Sequence, residues 1–206
     1  SANCSVNLKL GGEPSLFGAI VAQNGGVMEN CTNDGNVNLE VAVGNKSGKD
    51  VGCANFGGGL AAYGHTIAGL DAKTGIYFAD ATCRAGKFIG CVNSGSISVK
   101  ATGGSKVLGI STYGGICGIV ELDGVTFENC RNTGAISRVS DGEGSEDAST
   151  CVGGILGRCA GTFANIWDNS GAQICINGDK GYSVTVKGCE NSGALLSKCR
   201  HNGCLN

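Results

Sequence analysis

Four cysteines of this chain, Cys31, Cys91, Cys130 and Cys189, each stand two residues before an asparagine and four before a glycine. A fifth copy of the phrase, Trp167 to Gly171, has tryptophan in the cysteine's place. Thiols can hold a metal, attack a substrate or join in disulfides, and spacing helps to decide among these. No Cys-x-x-Cys pair occurs, and His65 and His201 are the only imidazoles, so the zinc pattern is missing. Neither histidine has a serine or cysteine beside it in the arrangement of an activated nucleophile. Thirteen cysteines in 206 residues then read as structural, and as the mark of an oxidising, extracellular setting where disulfides persist. The count is odd, so at least one thiol is free or bonded to another molecule. Cys199 and Cys204 read as a staple on the C-terminal end.

Carboxylates are the other reactive groups. Polysaccharide-cleaving enzymes need carboxylates on one face, or a base with a calcium site. Here Asp123, Glu128, Asp168, Asp179 and Glu190 are scattered. Glu128 and Glu190 flank the cysteine slot in different copies, so repetition could bring them to one face; solvated surface charge is the plainer reading. The run Asp141 to Asp147 could wrap calcium, but it lacks the EF-hand order and reads as an acidic loop. No catalytic, cofactor-binding or metal-binding signature emerges, and the chain is expected not to be an enzyme. Sugar binding would call on exposed aromatics such as Tyr63, Tyr77, Tyr113 or Trp167. Three Asn-x-Ser/Thr sequons, at Asn3, Asn30 and Asn45, are candidate glycosylation sites in a secreted protein. A net charge of −2 gives no electrostatic reason to bind nucleic acid or an anionic membrane. No apolar run is long enough to span a bilayer.

The elements that must position these residues are short. Val6–Leu10, 37–43 and 96–100 alternate apolar and polar residues, as half-buried strands do. Glycines are frequent, at 38, and aromatics few, at 5%, so the core is thin and built from Val, Ile, Leu, Ala and Cys. The Cys-x-Asn-x-Gly phrase begins at 31, 91, 130, 167 and 189. A second mark, Gly-Gly-[Ile/Leu], recurs at 58–60, 114–116 and 153–155. Two marks returning in order predict one domain over 1–206, with cysteine-rich ends, made of stacked units. The architecture is all-β, a parallel β-helix with irregular repeats, stiffened by disulfides. A β-sandwich would give its strands no reason to share corner residues.

In such a stack the rungs lie about 4.8 Å apart and equivalent residues form columns. Asn33, Asn93, Asn132, Asn169 and Asn191 would then form one column, each amide bonding its own turn and its neighbours. Cys31, Cys91, Cys130, Trp167 and Cys189 would fill a second column, and the glycine two residues after each asparagine would supply a positive φ. The Gly-Gly-[Ile/Leu]-x-Gly element at 114–118 and 153–157, with the Cys-x-Asn-x-Gly phrase beside it, resembles the GLUG-type repeats of bacterial and protist surface proteins. That resemblance implies a right-handed β-solenoid at the cell exterior with an adhesive or structural role. End coils with exposed strand edges add an expectation of self-association, as an oligomer or filament. The alternative is a small carbohydrate-active enzyme or glycan-binding module on the same fold.

Overall fold

The computed structural model describes residues 5–10, 15–42, 54–70, 77–102, 110–140, 149–159, 166–167, 173–174, 181–197 and 202–205. A leading strand, β1 (Val6–Leu10), precedes a first rung of β2 (Ser15–Gly18), β3 (Val21–Gln23), β4 (Val27–Glu29), β5 (Thr32–Asn33) and β6 (Val37–Ala42). The second rung runs β7 (Ala54–Gly58), β8 (Ala61–Tyr63), then a side hairpin of β9 (Gly69–Leu70) and β10 (Tyr77–Phe78). It returns as β11 (Lys87–Ile89), β12 (Val92–Asn93) and β13 (Ile97–Thr102). The third has no detour: β14 (Ile110–Gly114), β15 (Cys117–Val120), β16 (Val125–Glu128), β17 (Arg131–Asn132) and β18 (Ile136–Ser140). In the fourth, β19 (Ser149–Gly153) and β20 (Leu156–Cys159) lead to a second side pair, β21 (Ile166–Trp167) and β22 (Gln173–Ile174). It closes with β23 (Val184–Lys187), β24 (Glu190–Asn191) and β25 (Leu195–Ser197), and β26 (Asn202–Leu205) starts a fifth.

Strands stack in register on their counterparts, all parallel, giving five walls: β2-β7-β14-β19-β26, β3-β8-β15-β20, β4-β11-β16-β23, β5-β12-β17-β24 and β1-β6-β13-β18-β25. The chain is thus a β-solenoid, and among the described residues it is all-β. Among the described residues the two side hairpins pair antiparallel, as does the isolated bridge between His65 and Ala85. No helix is long and apolar enough to cross a membrane among the described residues.

Alternation within each strand decides which residues meet inside. Val37, Ile97 and Ile136 share one inward column; Met28, Phe88 and Phe127 share another, where the two phenyl rings stack at 4.9 Å and 9°. Stacking like on like lets one side-chain shape recur without a void. Two main apolar clusters lie in the interior. One joins the third wall to Leu60, Ile116 and the buried thiols; the other joins the first and fifth walls through Phe17, Tyr113, Val152 and Ile97. A third cluster lies under the 64–86 detour, where Ile67 and Tyr77 pack against Phe56, Tyr63 and Ile119.

Two expectations are corrected. Among the described residues four corners stack: the rung after Asn132 brings Asn191, while Trp167 pairs antiparallel with Gln173 in a side pair of strands. Asn169 lies outside the described residues. The Trp167 phrase falls in a detour, so likeness of sequence there does not place it in the wall. Nor does the glycine after each asparagine carry a positive φ. That conformation falls one residue before the cysteine slot, at Asn30 (52°), Gly90 (60°), Asn129 (53°) and Gly188 (61°).

Candidate functional site

The repeated asparagines form a continuous amide ladder. Asn33 Nδ2 donates to Asn93 Oδ1 at 2.8 Å, Asn93 Nδ2 to Asn132 Oδ1 at 2.7 Å, and Asn132 Nδ2 to Asn191 Oδ1 at 2.8 Å. The second hydrogen of each Nδ2 goes to the carbonyl two residues on, at Gly35 (3.2 Å), Gly95 (3.0 Å), Gly134 (3.0 Å) and Gly193 (3.1 Å). Asn93 and Asn132 are fully buried, so these bonds replace water that the groups have lost. Every amide points the same way along the axis, and such chains polarise one another.

Glycine is required here for closeness. A methyl at Gly95 would run into the carbonyl oxygen of Gly35, one at Gly134 into that of Gly95, and one at Gly193 into that of Gly134. Across the rung, a methyl at Gly59 would strike Asn93, at Gly115 Asn132, and at Gly154 Asn191. The two sequence marks are therefore halves of one contact: the second glycine of Gly-Gly-[Ile/Leu] is the floor on which the asparagine amide rests. This contact joins the corner between the first and second walls to the fourth wall, a polar seam across the rung. At the positive-φ corner, a methyl on Gly90 would meet Asn30 Oδ1 at 2.5 Å, and one on Gly188 would collide with Asn129 Oδ1. The alternation Asn, Gly, Asn, Gly before the cysteine slot follows: each asparagine side chain covers the glycine of the next rung. That alternation is visible in the sequence and is the signal that locates the left-handed corner.

Cys31, Cys91, Cys130 and Cys189 form a thiol column beside the ladder. Cys91 Sγ donates to Met28 O and Cys130 Sγ to Phe88 O, both at 3.3 Å and both one rung back. Neighbouring thiols also touch one another, Cys31 with Cys91 and Cys91 with Cys130. Contact with Cys130 draws the Cys91 thiol down, while the same contact and burial push Cys130 up, so the pair yields its first proton more easily than its second. Burial, then the nearby Cys91, raises Cys31. The disulfides expected from composition are not found among the described residues: Cys31, Cys83, Cys91, Cys117, Cys130, Cys159 and Cys189 all keep their thiols unbridged. Small, apolar and in contact, thiols fill the column as packing groups. Cys4, Cys53, Cys175 and Cys199 lie outside the described residues, and the side chain of Cys204 is not described.

No family model matches the chain, and no curated protein or solved structure matches it.

The remaining candidates are dispersed. Glu190 pairs with exposed Arg131 at 3.8 Å on the fourth wall, whereas Glu128 sits opposite Lys187 on the third. The two do not form a carboxylate pair. Asp123 Oδ1 accepts the Ser183 amide at 2.7 Å. Asp168, Asp179, His201 and the Asp141–Asp147 run lie outside the described residues, as do Asn3 and Asn45. Asn30 is exposed, next to half-buried Cys31. Tyr63 and Tyr113 are buried, Tyr77 is half-buried, and the Trp167 side chain is not described, so Tyr63 and Tyr113 offer no platform for a sugar. No group of three metal-ligating side chains occurs among the described residues.

Sequence reasoning missed a buried polar cluster at the mouth of the 64–86 detour. His65 Nε2 accepts the Glu121 amide at 3.0 Å, and its Nδ1 donates to Thr66 O at 2.7 Å. The ring stands edge-on to Tyr63 at 5.0 Å, and Tyr63 Oη reaches Glu121 Oε2 at 3.5 Å. This fixes a neutral imidazole, and burial lowers its basicity. Burial, with the Glu121 charge, pushes the Tyr63 hydroxyl well up. Nothing in the local sequence pairs His65 with residue 121; the rung offset does.

Proposed function

We propose that the chain is a structural β-solenoid of the cell exterior, a right-handed winding that assembles with copies of itself into a fibre or surface layer. The hand follows the near-universal preference of parallel crossovers. One observation carries the reading. The polar investment of this molecule goes into an axial ladder and its glycine floor, and the ends of that stack are strand edges. Among the described residues β3, β4 and β5 are terminal strands of their walls at one end, and β20, β23 and β24 at the other. Only β1 and β26 extend beyond these rungs, each on a single wall. Open edges of in-register strands invite pairing with another chain, and head-to-tail contacts that do not close give filaments. Exposed Val186 and the 390 Å³ hollow it lines with Leu156, Tyr182 and Cys189 leave apolar surface at the C-terminal rung. The exterior location rests on the GLUG-like phrases and on the cysteine count, not on bridges.

Electron microscopy and light scattering of the native protein test this. Filaments, or mass rising with concentration under non-reducing conditions, are expected. Monodisperse monomers at high concentration overturn it.

A further inference from the structure

The thiol column has a property that packing alone does not use. Equivalent residues of adjacent in-register strands lie about 4.8 Å apart, inside the span a disulfide bridges. Backbone bonds keep that register through the cysteines, with Val92 N donating to Cys31 O at 2.9 Å and Arg131 N to Cys91 O at 2.8 Å. The column also differs along its length: Cys91 and Cys130 are sealed in the core, whereas Cys31 at the first rung is half-buried.

We propose that Cys31 is an S-thiolation site for small-molecule disulfides such as oxidised glutathione, with Cys91 as its resolving thiol, so that oxidation staples the first rung to the second. Cys31 thiolate attacks one sulfur of the oxidant and expels one glutathione thiolate. The sulfur of Cys91 then attacks Cys31 Sγ and expels the second glutathione. Two protein thiols lose two electrons to the oxidant's disulfide, one S–S bond breaks, one forms, and both thiol protons end on two molecules of glutathione. The order follows from access: the oxidant reaches Cys31 and cannot reach Cys91. Cys91 follows because the in-register backbone sets its thiol one rung from Cys31 Sγ, the nucleophile nearest to the mixed disulfide. This holds whether or not copies of the chain associate.

The test is oxidised glutathione added to the reduced, folded protein, followed by acid quench, alkylation and non-reducing peptide mass spectrometry. The expected product is a Cys31–Cys91 linked peptide. Closing a loop of that size should raise the melting midpoint by about 10 °C, reversibly with dithiothreitol. In Cys91→Ser the mixed disulfide should persist on Cys31, and in Cys31→Ser residue 91 should stay reduced. A wild-type Cys31–glutathione adduct that persists, or a Cys31 that reacts only after denaturation, overturns the proposal. The wild-type measurement decides even where a variant fails to fold.

Discussion

Two corners of the second rung bury polar side chains completely, and they do so by opposite means. At Asn93 the partners are copies of itself: the same amide in the rungs above and below, and its own turn carbonyl. At His65 each partner is a different group, the Glu121 amide, the Thr66 carbonyl and the edge of Tyr63. Satisfaction by translation needs only one residue type repeated at the right interval. Satisfaction by unlike partners needs several unrelated positions to agree. The first therefore tolerates an irregular repeat length, because detours can be inserted elsewhere in the rung, as they are in rungs two and four. The second anchors one such detour and nothing else. The comparison predicts that damage at the ladder should spread through the stack, whereas damage at the detour should stay local.

The largest break is expected at the glycine floor. Gly115→Ala places a methyl against the Gly154 carbonyl and the Asn132 amide, neither of which can retreat without unpairing a rung. We expect a loss of about 4 kcal/mol, the scale reserved for a core clash that cannot relax. Gly69→Ala in the side hairpin meets only the far end of the Phe78 ring, at 3.4 Å, and should change stability by under about 0.5 kcal/mol. Urea titration of the two variants reads the difference; equal midpoints would dissolve the distinction between wall and detour.

Next comes the ladder itself. Asn132→Ala removes a fully buried amide and leaves the Asn93 donor without its acceptor, which should cost about 2–3 kcal/mol. Asn191→Ala at the exposed end frees a donor on Asn132 but opens it to water, and should cost about 1 kcal/mol or less. Similar losses at both positions would mean that burial is not what gives the ladder its worth.

What could be read from the sequence divides along the same line. The ladder, the thiol column and the stacking order were legible because Cys-x-Asn-x-Gly and Gly-Gly-[Ile/Leu] recur, and recurrence is what a column is. That the two marks touch was not legible: Gly115 and Asn132 are joined by the width of the rung, which no local pattern encodes. The Trp167 phrase misled because likeness to the corner was taken for membership of the wall, whereas Trp167 pairs with Gln173 outside the stacked walls. The positive φ was assigned to the wrong glycine because steric crowding and backbone conformation both select glycine, and only Asn30 and Asn129 in the alternating slot separate the two causes. The thiols were read as bridges from their number, whereas contact in the column leaves those described as packing groups. His65 stood alone in sequence because Glu121 arrives from the next rung.

The smallest effect is the pH dependence that separates His65 from the ladder. Amides do not titrate, so the seam should hold equally across the mildly acidic range. His65 is kept neutral by burial, and its Nε2 must stay unprotonated to accept the Glu121 amide. In the unfolded chain a histidine takes up a proton near pH 6.5. Below that value the unfolded state gains a proton that the fold resists, so stability should fall as pH drops through 6.5 and level off beneath the lowered folded value. His65→Gln removes the titration, with an offset at neutral pH for the lost ring contact. Urea midpoints at pH 7.5 and 5.5 for both proteins isolate the term, because the carboxylates contribute to each alike. A steeper acid loss in the wild type is expected. Parallel losses would mean that the imidazole titrates freely in the fold, and that the cluster under the detour is looser than the seam it stands beside.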